Sequence, residues 1–147
     1  MLYSIAFKTH IFVSVFTLLA GIGTIALSAR GVIRKGTYTR MDGMVAGAFA
    51  LALYLQLFLG FVTYFALRTS LEGEFFKIPD SANDASLRFW AIEHIALMIF
   101  ALFLMQIGRL YIRRSGDSFK KFRASLFYNG ISLFLILFSV SVALFFR

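Results

Sequence analysis

Four long apolar runs, separated by short charged segments, constrain this chain more than any other feature. They cover about residues 3–29, 44–67, 89–108 and 124–146. Each has the roughly 20 residues that a helix needs to cross a hydrocarbon core of about 30 Å. A backbone in lipid must satisfy its own hydrogen bonds, so each run reads as a transmembrane helix. Hydrophobic residues make up 60% of the chain, and the mean hydropathy is +0.82. A soluble domain sits nearer half apolar. The expected fold is an all-α membrane protein, a single transmembrane domain over residues 1–147 in contact with a lipid bilayer.

The net charge of +8 invites a nucleic-acid reading, but the positions of the charges argue against it. Arg30, Arg34, Lys35 and Arg40 crowd the segment 30–43 with Asp42, and Arg109, Arg113, Arg114, Lys120, Lys121 and Arg123 crowd 109–123 with Asp117. A nucleic-acid surface would instead spread them along one face of a folded domain. Between the second and third runs, Arg68, Lys77 and Arg88 are outnumbered by Glu72, Glu74, Asp80 and Asp84. Basic loops stay on the cytoplasmic side, so loops 1 and 3 are expected inside, with loop 2 and both termini outside. Short loops 1 and 3 favour antiparallel neighbours, which gives an up-down-up-down four-helix transmembrane bundle. In such a bundle helices 1 and 3 are parallel and diagonally opposed.

The first run is expected to be a retained helix rather than a signal peptide. It is long, and Arg30, Arg34 and Lys35 follow it. Positive charge at that end opposes export. In the long loop 2, Asp84 or Ser86 is placed to cap the third helix. Cysteine is absent, which excludes disulfides, iron–sulfur clusters and cysteine-based zinc sites.

Residues three and four apart share a helix face. In helix 1 one face reads His10, Ser14, Thr17, Gly21, Thr24, Ser28, opposite Phe12, Phe16, Leu18, Leu19 and Ile25. In helix 3 a face reads Ala91, His94, Met98, Ala101, Met105, Gly108. Small residues let membrane helices approach closely, and packing accounts for most of both stripes. Packing does not account for one histidine at the same end of each. His10 lies seven positions past Tyr3 and His94 five past Phe89, which puts both at similar depth on helices that run inward.

Two imidazoles facing each other across a bundle can be the axial ligands of one haem b. His10 and His94 are then the metal ligands. Ser14, Gly21 and Ala101 are the small residues beside the porphyrin, and Lys8 and Arg88, with Arg68 and Arg147, are cations near its propionates. Met98, one turn past His94, offers His/Met ligation instead. Each histidine also has a plainer use, hydrogen bonding to backbone or headgroup, and basic residues at helix ends ordinarily snorkel. Glu93 can serve a quinol proton or pair with Lys8 or Arg88. Gln56, on a stripe with Ala48, Ala52, Gly60 and Thr63, and Asn129, Ser132 and Ser139 read as interhelical hydrogen-bonding groups.

The stretch Arg88-Phe89-Trp90-Ala91-Ile92-Glu93-His94, followed by Met98 and Gly108-Arg109, resembles a segment of small four-helix membrane proteins of Bacteroidetes labelled cytochrome b-like. The Tyr38-Thr39-Arg40-Met41-Asp42 turn and the early His10 are similar too. The chain departs from that pattern after His10, where it reads Val13-Ser14-Val15-Phe16 in place of Leu-Arg-Trp. The resemblance implies a multi-pass protein of the bacterial inner (cytoplasmic) membrane and a haem. It implies no catalytic residue.

Three functions compete. The first is electron transfer by one bis-histidine haem in the outer half of the bundle, exchanging with quinol or with a respiratory or redox partner rather than acting as a stand-alone enzyme. The second is a cofactor-free accessory or structural subunit of a larger membrane complex. The third is a small transporter or metal-handling protein using His10, His94, Met98 and Met105, although no span is broken at mid-depth by proline. No Walker-type or dinucleotide glycine motif occurs.

Overall fold

The structure is a computed structural model and describes residues 2–70 and 92–145. It is all-helical there: α1 runs Leu2–Arg34, α2 Arg40–Ser70, α3 His94–Arg114 and α4 Ser118–Phe145. All four are long and apolar enough to cross a membrane, as in a multi-pass membrane protein. The shortest, α3, has 21 residues, or about 31 Å at a rise of about 1.5 Å per residue.

The helices outlast the apolar runs at the basic ends. The segments 30–43 and 109–123, read from hydropathy as loops, shrink to turns at 35–39 and 115–117. Hydropathy marks where lipid ends. Arginine and lysine are good helix formers, so the backbone winds on into the headgroup region. Capping fixes the true ends. Lys35 leaves α1 with φ 49, a left-handed stop more often given to glycine, and Gly36 N–H reaches back to the Gly31 carbonyl at 3.2 Å.

At the start of α2, Thr39 N–H and Thr39 Oγ1 both donate to Asp42 Oδ2, at 2.8 and 2.6 Å, and Asp42 N–H donates to Thr39 Oγ1 at 3.4 Å. This reciprocal box satisfies amides that the helix start leaves unpaired. Asp117 caps α4 in the same spirit, accepting from Lys120 N–H at 3.2 Å. Thr39→Ala should therefore cost about 1 kcal/mol in reversible unfolding from mixed micelles, with Thr39→Ser close to the parent. The two turns are also tied together. Tyr38 N–H donates to Ser118 Oγ at 3.0 Å, and the Tyr38 ring lies 5.0 Å from that of Phe122. Burial, helped by the Asp42 charge and opposed by Arg109, pushes the Tyr38 phenol above its usual range.

The main helix contacts are α1 on α2, α3 on α4 and α1 on α4, with α2 on α3 the least extensive. α1 and α3 thus stand diagonally across the bundle. The small-residue stripes face inward. Thr17, Thr24 and Ser28 are 1–3% exposed on α1, and the buried residues of α3 are Met98, Ala101, Met105 and Gly108. Thr17 and Thr24 satisfy their hydroxyls on the carbonyls of Val13 and Ala20, both at 2.8 Å. Outward, Phe12 is 78% exposed and Phe103 61%. Leu18 and Ile25, read from the sequence as lying opposite the stripe, pack on the core instead, because the buried arc is wider than the small-residue stripe itself.

Close approach is real at three glycines. A methyl at Gly21 would meet Leu133 Cδ1 at 2.9 Å and Phe49 Cε2 at 3.0 Å, one at Gly108 would meet Tyr128 Cβ at 2.5 Å, and one at Gly31 would run into the Phe122 ring. Buried hydroxyls bridge the same seams. Ser28 Oγ donates to Ser125 Oγ at 2.7 Å, and Ser132 Oγ donates to the Ala101 carbonyl at 2.8 Å.

Candidate functional site

His10 and His94, the two histidines of the chain, come together. Their ring centres are 6.5 Å apart and their planes lie at 77°. α1 presents His10 from the head of its polar stripe, and α3 presents His94 at its first residue. Both rings are half-buried.

Each ring is held by a neighbouring helix. His94 Nδ1 lies 2.7 Å from Ser139 Oγ on α4. His10 Nε2 lies 3.1 Å from Gln56 Nε2 on α2, and the same amide nitrogen donates to the His10 carbonyl at 3.1 Å. Gly60, one turn along α2, also faces His10: a methyl there would lie at ordinary contact distance, 3.5 Å from His10 Cε1. Two buried polar atoms of this pair have no hydrogen-bond partner among the described residues: His10 Nδ1 and Gln56 Oε1. Such groups are costly in a low-dielectric interior and call for an explanation.

The spacing of the pair suits a shared metal. Imidazole–metal bonds run about 2 Å and the ring centre lies about 1 Å behind the nitrogen, so two rings on one iron stand about 6 Å apart. Rotation about the shared axis changes the angle between the planes and not that separation. The outer hydrogen bond of His94 is the kind that orients a ligating histidine. Among the described residues, no group of three or more histidine, cysteine or carboxylate side chains is placed to hold a metal ion by itself. A metal carried in by its own macrocycle needs no such group.

The other residues expected at this site divide. Ser14, one turn below His10, is half-buried and donates to the Ile11 carbonyl at 2.7 Å. Lys8 is exposed. Met98 and Ala101 belong to the core with Phe49, Leu53, Leu133 and Ile136, at 4% and 0% exposure. Gly21 lies eleven residues from His10, about 16 Å along the helix, and is covered by Phe49 and Leu133. Arg88, Ala91 and Arg147, and the proposed caps Asp84 and Ser86, lie outside the described residues. The Arg68 side chain lies outside them as well.

Gln56 and Ser139 are the partners that sequence reasoning left unassigned. It marked both as interhelical hydrogen-bonding groups without saying to what. A signal existed for Gln56, which lies on the stripe with Ala48, Ala52, Gly60 and Thr63, and the structure buries it to 7% exposure. A carboxamide that deep in a membrane helix needs a partner, and His10 is the polar side chain facing it. Comparison with known protein families, with curated proteins and with solved structures gives no match.

Proposed function

We propose that this protein holds one b-type haem between His10 and His94 and passes single electrons at the outer side of a bacterial cytoplasmic membrane. Its exchange partner is a quinol or a redox subunit. The observation that carries this reading is the 6.5 Å between ring centres on two helices that are not neighbours. Bringing both histidines of a chain to ligation distance from opposite corners of a bundle is hard to ascribe to packing alone.

The accompanying topology is up-down-up-down, with both termini outside. Its support lies in the register of the contacts. His10 meets Gln56 while Gly21 meets Phe49; Ser28 meets Ser125 while Gly21 meets Leu133; His94 meets Ser139 while Ala101 meets Ser132. In each pair of helices one number rises as the other falls. The arginines and lysines of both turns lie at the opposite end from the histidines, so the positive-inside bias sets the histidines in the outer half.

When bound, the haem supplies one-electron chemistry at its iron. The chain's own residues do the rest. Ser139 fixes the rotation of the His94 ring, and Gln56 fixes that of His10. Met98 and Ala101 close the space toward the bundle centre. Lys8, exposed on α1 two residues before His10, would be the cation available to a haem carboxylate. The sparse α2–α3 seam is where a flat macrocycle has the least packing to displace.

The test is an absorption spectrum of protein purified from haem-replete cells. The expected result is a Soret band at about one haem per chain, with the sharp reduced bands of a six-coordinate low-spin iron. Colourless, well-folded protein ends the proposal. It would leave the cofactor-free accessory subunit as the remaining reading.

A further inference from the structure

The net charge gathers at the end of the bundle that carries the two turns. Of the chain's 15 basic and 7 acidic residues, ten and two lie in the segments 30–43 and 109–123, which leaves the rest balanced. Both carboxylates at this end serve as helix caps. Asp42 Oδ2 accepts from Thr39 N–H and Oγ1, and Asp117 accepts from Phe119 N–H at 3.4 Å and from Lys120 N–H at 3.2 Å. A positive-inside bias calls for an excess of bases in short loops. It does not call for bases from different helices to converge on one point.

Two of them converge. Arg34, Arg40, Arg113 and Lys120 are exposed, whereas Arg109 and Lys121 are half-buried. Both act on the same side chain. Lys121 Nζ lies 5.7 Å from the centre of the Tyr38 ring, and the Arg109 charge acts on the Tyr38 phenol. Tyr38 is fixed by its N–H on Ser118 Oγ and by its ring on Phe122. The α1–α2 turn, the end of α3 and the start of α4 thus bring a phenol, a guanidinium and an ammonium to one place. Burial keeps the phenol protonated, so all three can donate. Asp42 also acts on the phenol, but its capping oxygen is turned to Thr39, and one carboxylate leaves two bases in excess. Among the described residues neither Arg109 nor Lys121 is paired with Asp42 or Asp117.

Such a set of donors suits a phosphate oxygen. Depth and neighbours say what carries the phosphate. Phe122 lies against Gly31, just past the apolar run that ends near residue 29, so Tyr38 stands where hydrocarbon gives way to headgroups. Exposed apolar side chains, Ile33, Met41, Met44 and Leu110, alternate with the bases there. A free phosphate offers them nothing. An anionic phospholipid lays its acyl chains along them and sets its phosphate among the bases. We propose that Tyr38, Arg109 and Lys121 form a binding site for the phosphate of an anionic phospholipid, at the point where the two helical hairpins are tied together.

The test is native mass spectrometry of the full chain in detergent, titrated with phosphatidylglycerol, with phosphatidylcholine or with inorganic phosphate. The parent should retain phosphatidylglycerol in preference to phosphatidylcholine. Arg109→Gln and Lys121→Gln should each weaken that binding about fivefold, the effect of one charge near an anionic surface, and Arg109→Lys should recover most of it. Tyr38→Phe keeps the ring on Phe122 and should also bind more weakly, a loss that altered packing does not explain. Arg34→Gln and Arg113→Gln remove the same charge from exposed positions on α1 and α3 and should stay within about twofold of the parent. Helical circular dichroism and a single elution peak establish that the variants fold. Equal losses at all four positions mean diffuse attraction to a charged surface and overturn the site. Equal retention of the two lipids, as a site for an acidic protein would leave it, overturns the ligand. Displacement of phosphatidylglycerol by an excess of inorganic phosphate assigns the site to a free anion and overturns the lipid.

Discussion

Alanine at His94 or at His10 should remove the Soret band from haem-replete protein. Each ring is held by a neighbouring helix, His94 by the Ser139 hydroxyl and His10 by the Gln56 amide. Loss of either imidazole should leave a five-coordinate iron that washes out during purification.

His94→Ala also strands Ser139, a buried hydroxyl, at about 1–3 kcal/mol. His94→Gln is the companion variant, since it gives Ser139 a partner while offering iron no imidazole. Met98→Leu separates the His/His reading from the His/Met one. Met98 is 4% exposed within the apolar core, so its replacement should leave the spectrum unchanged. A full Soret band in both His94 variants would end the assignment.

The second large effect is on folding. Leucine at Gly108 should prevent α3 and α4 from closing. Even a methyl there would lie 2.5 Å from Tyr128 Cβ and 2.9 Å from Cγ, atoms fixed by the α4 backbone rather than free to swing away. Overpacking of a tight core costs about 1–3 kcal/mol, occasionally more. Parting the helices would also strain the Ser132 bond to the Ala101 carbonyl on the same seam. The control is Gly47→Leu. Gly47 also sits within a helix but has nothing within 4 Å of an added methyl, and leaving glycine gains roughly 0.5–1 kcal/mol of helix propensity. Mixed-micelle unfolding and gel filtration should find Gly108→Leu largely misfolded and Gly47→Leu at or above the parent. Equal behaviour of the two would show that the α3–α4 contact is not needed for folding.

The number of helices and the inward faces of α1 and α3 were legible because each is a property of a single helix. Apolar run length gives the first, and the three-and-four spacing gives the second. The pairing of His10 with His94 could be reached by counting from the helix starts, since depth is also a one-dimensional quantity. What resisted reading depends on two helices at once. Which hydroxyl meets His94 is set by the rotation of α4 against α3, and no spacing within either sequence encodes it. Gly21 looked like a neighbour of a porphyrin because it shares a stripe with His10. Its actual surroundings, Phe49 and Leu133, come from two other helices. The turn lengths resisted for a different reason. They are set by the Thr39–Asp42 box, by Asp117 and by the left-handed Lys35, which act within one or two residues and leave hydropathy unaltered.

The tie between Tyr38 and Ser118 has a mechanical consequence. It joins the α1–α2 hairpin to the α3–α4 hairpin at one end, and the Ser28–Ser125 and Gly31–Phe122 contacts reinforce the join just above it. Two rods clamped near one tip can splay only at the other, as the jaws of a spring clip do. Any parting of the two hairpins should therefore start at the end that carries the imidazoles.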